Sequence, residues 1–389
     1  MHRTATALFA LALAALAGWA LWPGTGGDFL FDDYVNLPAL GQYGPVDNPR
    51  TLIRYLTVGL GDPLGRPLSM LSFLIDARDW PTAAAPFLRT NILLHLLNGL
   101  LLMRVLWCLA AARGSGAAAI ANPPQPAQLP TGSVDPAESS LRGASVDSRS
   151  RLRRSCGALD RTGLAAVLAG ALWMLHPLFI STTLYVVQRE SMLAASFVLL
   201  GFLAWLAGRA RFERGARYSG LALLVTGSVA CTGLAMLCKA NGVLLPLLLL
   251  VAEGTVMPPM AAQPGEAFRR WRRWLLALPC ALLAIGLVLK LPGAIDLARE
   301  VRPWTLGERL LSEPRVILDY LRLLVLPRPL AGGVFQDGFP VSTGLLQPWT
   351  TLPAILLLAG LAALAWRQRR RWPLVAFALL FFLAGHALE

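Results

Sequence analysis

The sequence predicts an all-α polytopic membrane protein with about nine transmembrane helices, and three observations carry that fold class. Of 389 residues, 56% are hydrophobic and only 15% charged, far from the soluble average. Apolar stretches approaching the roughly 20 residues that cross a bilayer recur along the chain. The formal charge of +13 sits largely in arginines between those stretches, which reads as a topology signal rather than a nucleic-acid face.

The first span is placed at 5–22. Its basic start and Ala/Leu-rich body resemble a signal peptide. The run reaches Trp19-Ala20-Leu21-Trp22, however, and aromatics there suit a membrane interface, so it is read as uncleaved. Further spans are placed at 87–112, 162–180, 191–207, 219–237, 241–256, 274–291, 351–366 and 372–388. Several are short, so tilted or re-entrant ends are expected.

Orientation follows from counting. With the N-terminus inside, the cytoplasmic segments hold 20 Lys and Arg and the outward loops 12. Arg269-Arg270-Trp271-Arg272-Arg273 and Arg367-Gln368-Arg369-Arg370-Arg371 both fall inside. The positive-inside rule then puts loops 23–86 and 292–350 on the periplasmic side of a cell inner membrane. The chain divides into 1–112, with two spans and the first outward loop, a linker at 113–161, and 162–389 with the remaining spans. The linker is rich in Ala, Pro, Gly and Ser and is read as disordered, having too little apolar content to offset ordering entropy. Four of the five cysteines fall in apolar segments or cytoplasmic loops and Cys238 directly follows a span, so a disulfide framework and a cysteine metal site are not expected.

Both outward loops carry helical signals. After Arg66 the polar residues Ser69, Ser72, Asp76 and Asp79 recur every three or four positions among leucines, predicting an interfacial helix with one polar stripe facing water or a cleft. Glu308, Ser312, Arg315, Asp319 and Arg322 repeat the pattern in the second loop. Together they suggest an extracytoplasmic cavity at the lipid headgroup level.

No metal motif, phosphate loop or nucleophile elbow occurs. The candidates are charged groups next to the membrane, where charge is costly. Asp32 and Asp33 are adjacent carboxylates that raise each other's pKa and resist desolvation; the plain alternative is a solvated acidic loop. Arg66 opens a helix, where its guanidinium could grip a phosphate or simply pair with Asp62. Arg189 starts a span at the end the macrodipole disfavours for a cation, so an anionic partner is expected, with Glu190 the nearest. Lys239 lies in a tight outward turn, and His176 closes a span before Pro177. Asn91, His95 and Asn98 share one helix face and predict interhelical hydrogen bonds.

These pieces occur in a recognisable order: Phe31-Asp32-Asp33-Tyr34, Gly65-Arg66-Pro67-Leu68-Ser69, Asn91-Ile92-Leu93-Leu94-His95, Leu175-His176-Pro177, Tyr185-Val186-Val187-Gln188-Arg189, Cys238-Lys239-Ala240-Asn241-Gly242 and Pro314-Arg315-Val316-Ile317-Leu318-Asp319-Tyr320-Leu321. The set resembles the bacterial relatives of the tetratricopeptide-linked transmembrane O-mannosyltransferases, in the GT-C glycosyltransferase superfamily. That resemblance implies a GT-C-like helix bundle that transfers a hexose such as mannose from a polyprenyl-phosphate donor to an acceptor hydroxyl on protein or glycan. Asp32 maps onto the catalytic base, with Asp33 as neighbour or alternate, and Arg66 onto a phosphate contact. His176, Gln188, Arg189, Lys239 and Asn241 are the further candidate substrate contacts.

The chain departs from the pattern at Ser181-Thr182-Thr183, where relatives often carry a Glu, and at Lys239-Ala240-Asn241-Gly242, which commonly reads Lys-Glu-Asn-Gly. No cofactor is certain from the resemblance, and a divalent metal is left without support, since two acidic positions that could supply a second carboxylate or a metal ligand are absent. The stop at Gly385-His386-Ala387-Leu388-Glu389, where relatives continue, is read as a truncation. With one supported carboxylate position, inversion by single displacement is expected, Asp32 deprotonating the acceptor while cations stabilise the departing phosphate. Two other readings fit less of the sequence: a ligase or polymerase using a diphosphate-linked lipid, and a non-catalytic transporter or scaffold, which predicts acids at mid-membrane.

Overall fold

The computed structural model describes residues 2–57, 65–121, 161–260, 262–301, 304–327 and 338–388. Among the described residues there is no strand, and six helices are long and apolar enough to cross a membrane. They are Thr4–Gly26, Ala84–Arg113, Val186–Glu213, Arg217–Met236, Gly265–Gly293 and Thr351–Gln368. The protein is therefore an all-α polytopic membrane protein. A seventh candidate, Arg161–Met174 with Pro177–Thr183, is bent by 50°. The bend falls at His176-Pro177, where the proline lacks an N–H and pushes its predecessor out of helical geometry. Two more of the nine predicted segments, Ala240–Thr255 and Pro373–Gly385, are apolar helices too short for a straight crossing. The described residues thus hold six candidate spans by length and composition, or seven if the bent pair is one, and the expected nine are not reached by that measure. The predicted linker, 113–161, lies outside the described residues over 122–160, while the preceding helix continues to Ala121.

In chain order the helices are α1 (His2–Leu21), α2 (Asp32–Asn36), α3 (Pro49–Thr57), α4 (Pro67–Phe73), α5 (Ala84–Ala121), α6 (Arg161–Met174), α7 (Ile180–Thr183) and α8 (Arg189–Glu213). There follow α9 (Arg217–Val225), α10 (Cys231–Met236), α11 (Leu245–Thr255), α12 (Ala262–Arg272), α13 (Leu278–Val301), α14 (Leu306–Val325), α15 (Thr351–Gln368) and α16 (Pro373–Gly385). Five-residue π turns join α9 to α10 and α12 to α13.

The bundle is held by close helix contact where lipid offers no hydrophobic drive. On α8 and the antiparallel α9–α10 helix, glycines meet in two pairs one heptad apart. A Cβ on Gly201 would lie 2.8 Å from the Gly227 carbonyl, and one on Gly208 2.9 Å from that of Gly220. Only glycine lets these backbones approach so closely. Trp205, Phe202, Phe212, Leu245, Leu249 and Leu276 fill the core beside this seam. At the same end as the arginine runs, Arg209 is buried against Glu253 at 2.5 Å, and Trp205 Nε1 donates to the other Glu253 oxygen at 2.9 Å.

Asn91, His95 and Asn98 of α5 each bond another helix or turn, as their shared face predicts. Asn91 Nδ2 donates to the Tyr185 carbonyl at 3.1 Å, His95 Nε2 meets that of Met174 at 2.9 Å, and Asn98 Nδ2 donates to that of Met192 at 2.8 Å.

The helices in the two long loops partly depart from expectation. α14 spans the predicted amphipathic stretch and opens with a capping box, Thr305 and Glu308 each bonding the other's backbone N–H. Its polar stripe is used within the fold: Ser312 accepts the Ser342 N–H at 2.8 Å and Arg315 donates to the Pro340 carbonyl at 2.7 Å. The helix predicted after Arg66 ends at Phe73, well short of Asp79. Its stripe faces protein rather than water, since Ser69 is wholly buried and donates to the Cys238 carbonyl at 3.0 Å.

Candidate active site at the Asp32 end

The turn Tyr185–Gln188 and the first residues of α8, Arg189–Ser191, organise this end of the bundle. Phe31 precedes α2 with a φ of 30°, a strained value for a residue with a side chain. It delivers Asp32 and Asp33 into opposite environments. Asp33 is fully buried. Its two carboxylate oxygens accept the Leu30 N–H at 2.9 Å and the Val187 N–H at 2.7 Å, tying α2 to the turn. Burial nevertheless pushes the Asp33 carboxyl above the usual range, outweighing those N–H donors. Asp32 is exposed, and its backbone N–H donates to the Tyr185 hydroxyl at 3.0 Å. Buried Tyr185 is itself pushed up to about 12, first by burial, so its hydroxyl keeps its proton at neutral pH. Phe31, Tyr34 and Val35 around Asp32 are exposed.

Arg189 lies elsewhere than the sequence suggests. It is wholly buried, with Nε donating to Asn91 Oδ1 at 2.7 Å, Nη1 to the Ser72 carbonyl at 2.9 Å and Nη2 to that of Phe87 at 2.8 Å. Its anionic partner is Asp76 at 2.6 Å, not neighbouring Glu190, and the guanidinium lies over the Phe73 and Phe87 rings. So engaged, it knits α4, α5 and α8 together and cannot reach a ligand without dismantling that junction.

Glu190 pairs instead with Arg66. Asp62, the partner weighed from sequence, lies outside the described residues. Arg66 takes a left-handed φ of 47° straight after Gly65 at 68°, two such residues in a row before Pro67 starts α4. This strained corner seats α4 on the turn after α10, where the Leu68 N–H donates to the Leu237 carbonyl at 3.2 Å. From that turn Lys239 Nζ donates to Ser191 Oγ at 2.9 Å, and Ser191 donates onward to Gln188 Oε1 at 2.9 Å. Asn241 lies half-buried in the next turn, Ala240–Leu244.

His176 stands apart from this cluster. Its Nδ1 accepts the Leu178 N–H at 3.2 Å, which leaves the proton on Nε2 to donate to the Leu324 carbonyl at 3.1 Å. That carbonyl belongs to the last turn of α14, where helix acceptors lack intrahelical partners. His176 therefore caps α14 and ties it to the break between α6 and α7.

The site thus gathers Asp32, Asp33, Arg66, Gln188 and Lys239 around the turn and the start of α8, engages Arg189 and His176 in the scaffold, and adds Tyr185 and Ser191, to which sequence reasoning gave no role, and Glu190, which it weighed only as a partner for Arg189. Tyr185, Glu190 and Ser191 lie in or beside a quoted motif, but which partner each meets depends on loops distant in sequence. Among the described residues, no three His, Cys, Asp or Glu gather as metal ligands. A groove of about 850 Å³ along Arg269–Arg273 lies at the opposite end and is lined by one helix alone. No protein-family model, curated protein or solved structure matches the chain.

Proposed function

We propose that this protein is a membrane glycosyltransferase of the GT-C type, moving a hexose from a polyprenyl-phosphate donor to an acceptor hydroxyl on the extracytoplasmic face. One observation carries the reading. An exposed carboxylate and two cations hang from one turn and the start of the helix that follows it: Asp32 on Tyr185, with Asp33 pinned to Val187, and Arg66 and Lys239 on Glu190 and Ser191 of α8. The anchors Val187 and Glu190 are three residues apart, about 5 Å along a helix.

The chemistry assigns each residue a task. Asp32, in reach of solvent, takes the proton of the acceptor hydroxyl as its oxygen attacks the anomeric carbon. The bond to the lipid phosphate breaks with inversion, and the negative charge passes to the phosphate oxygens. Arg66 and Lys239, brought to this end by the start of α4 and by the turn after α10, stabilise that charge. Asp33 does no proton transfer; it fixes α2 on the turn and so sets where Asp32 stands.

The test offers membranes containing the protein a labelled sugar on either a polyprenyl monophosphate or a polyprenyl diphosphate. Transfer from the monophosphate is expected. Transfer from the diphosphate alone would point to a ligase or polymerase, and transfer from neither would contradict the enzyme.

A further inference from the structure

Glu190 has no task in the chemistry above, yet it is buried at the centre of the cationic cluster. Its side chain is 8% exposed and joined to Arg66, whose own side chain is 22% exposed. Lys239 is held one residue away on Ser191. A carboxylate and a phosphate present the same paired oxygens to a guanidinium. A buried carboxylate on the more exposed of two partners is therefore a resident anion, standing where an incoming one would be recognised.

We propose that Glu190 is an internal competitor for the lipid phosphate, so that donor binding is an exchange of anions on Arg66. This rests on the functional reading above and adds a regulatory element to the same site. The phosphate takes up the guanidinium contacts that Glu190 gives up, and Lys239 becomes its second cation. No covalent step is involved. The exchange keeps Arg66 compensated while the site is empty, since an unpaired charge at a half-buried position is costly. It also weakens donor binding by whatever the Arg66–Glu190 contact contributes, which lets the spent lipid phosphate leave as Glu190 returns.

The experiment measures binding of farnesyl monophosphate to the detergent-solubilised full chain, with farnesol and inorganic phosphate as comparison ligands. Glu190→Gln removes the competing charge and is expected to tighten farnesyl monophosphate binding about tenfold, equivalent to roughly 1.4 kcal/mol. The gain should vanish when Glu190→Gln is combined with Arg66→Ala. Glu190→Asp keeps the charge but draws it back by one methylene; it is expected to give a smaller gain and serves if the glutamine variant does not fold. Farnesol should bind equally to all variants. Comparable gains for inorganic phosphate would mean that the site reads phosphate whatever its source, which supports the exchange.

Unchanged or weaker binding in both Glu190 variants, with wild-type binding still dependent on Arg66, would overturn the exchange and leave the donor assignment standing. Wild-type binding that ignores Arg66→Ala would overturn both.

Discussion

The Asp33 carboxyl is held above the usual range because burial strips its water, a cost that the backbone N–H donors around it only partly offset. An acid whose pKa is higher in the folded chain keeps its proton longer there than in the unfolded chain. Its contribution to stability is full below the ordinary range, near pH 4, and is lost as pH rises through the raised value. Asp33→Asn cannot ionise. Thermal unfolding in detergent should show its melting temperature falling less than the wild type's as pH rises through that window; equal slopes would contradict the assignment. The bond from the Asp32 N–H to the Tyr185 hydroxyl gives a second expectation. Tyr185→Phe removes the acceptor for the Asp32 N–H and should cost about 1 kcal/mol, with a larger loss of transfer than of stability, seen by assaying both on one preparation. The pair Asp32-Asp33 was legible as a candidate, but nothing in two adjacent aspartates says which is buried. That is settled by Val187, brought to Asp33 from a distant part of the chain.

At the scale of elements, Arg189 shows where a sequence reading stops. A cation at a helix start predicts an anionic partner, and the partner exists. It is Asp76 rather than Glu190, because α4 and the turn after it fold back against α8 and place Asp76 on the guanidinium. Spacing within α5 made Asn91, His95 and Asn98 legible as one face; no spacing joins Asp76 to Arg189. Arg189→Met is expected to destabilise by about 3–5 kcal/mol, since Asp76 is left buried and unpaired. Arg189→Lys should recover little, as an ammonium cannot match the fork that reaches Asn91, Ser72 and Phe87 at once. A melting temperature within a degree or two of wild type for Arg189→Met would contradict the clamp. The seam between α8 and α9 makes a parallel prediction. Gly208→Leu places side-chain atoms where the Gly220 carbonyl already sits, and should separate the helices and abolish a folded peak in size-exclusion chromatography. An exposed lipid-facing change such as Leu172→Val should not.

For the whole molecule, periodicity and hydropathy made the class legible: every predicted span is helical, and bundle packing needs only apolar faces and small residues. The number of full crossings was less legible because apolar length alone does not reveal the bend at His176-Pro177 or the shortness of α16. The alternation of helix directions puts the arginine runs and Asp32 at opposite ends. If the arginines lie inside, an impermeant maleimide applied to intact cells should label Val35→Cys and spare Trp372→Cys in a cysteine-free background, both positions being exposed. The reverse pattern would put the site on the other face.

The central claim is that Asp32 is the base and Asp33 its support. Transfer of labelled sugar from polyprenyl monophosphate, measured for wild type, Asp32→Asn and Asp33→Asn at matched abundance in membranes, tests it most directly. Asp32→Asn should retain wild-type melting and lose transfer by about a hundredfold or more, while Asp33→Asn should lose stability and keep measurable transfer once folded. Normal turnover by Asp32→Asn would contradict the account.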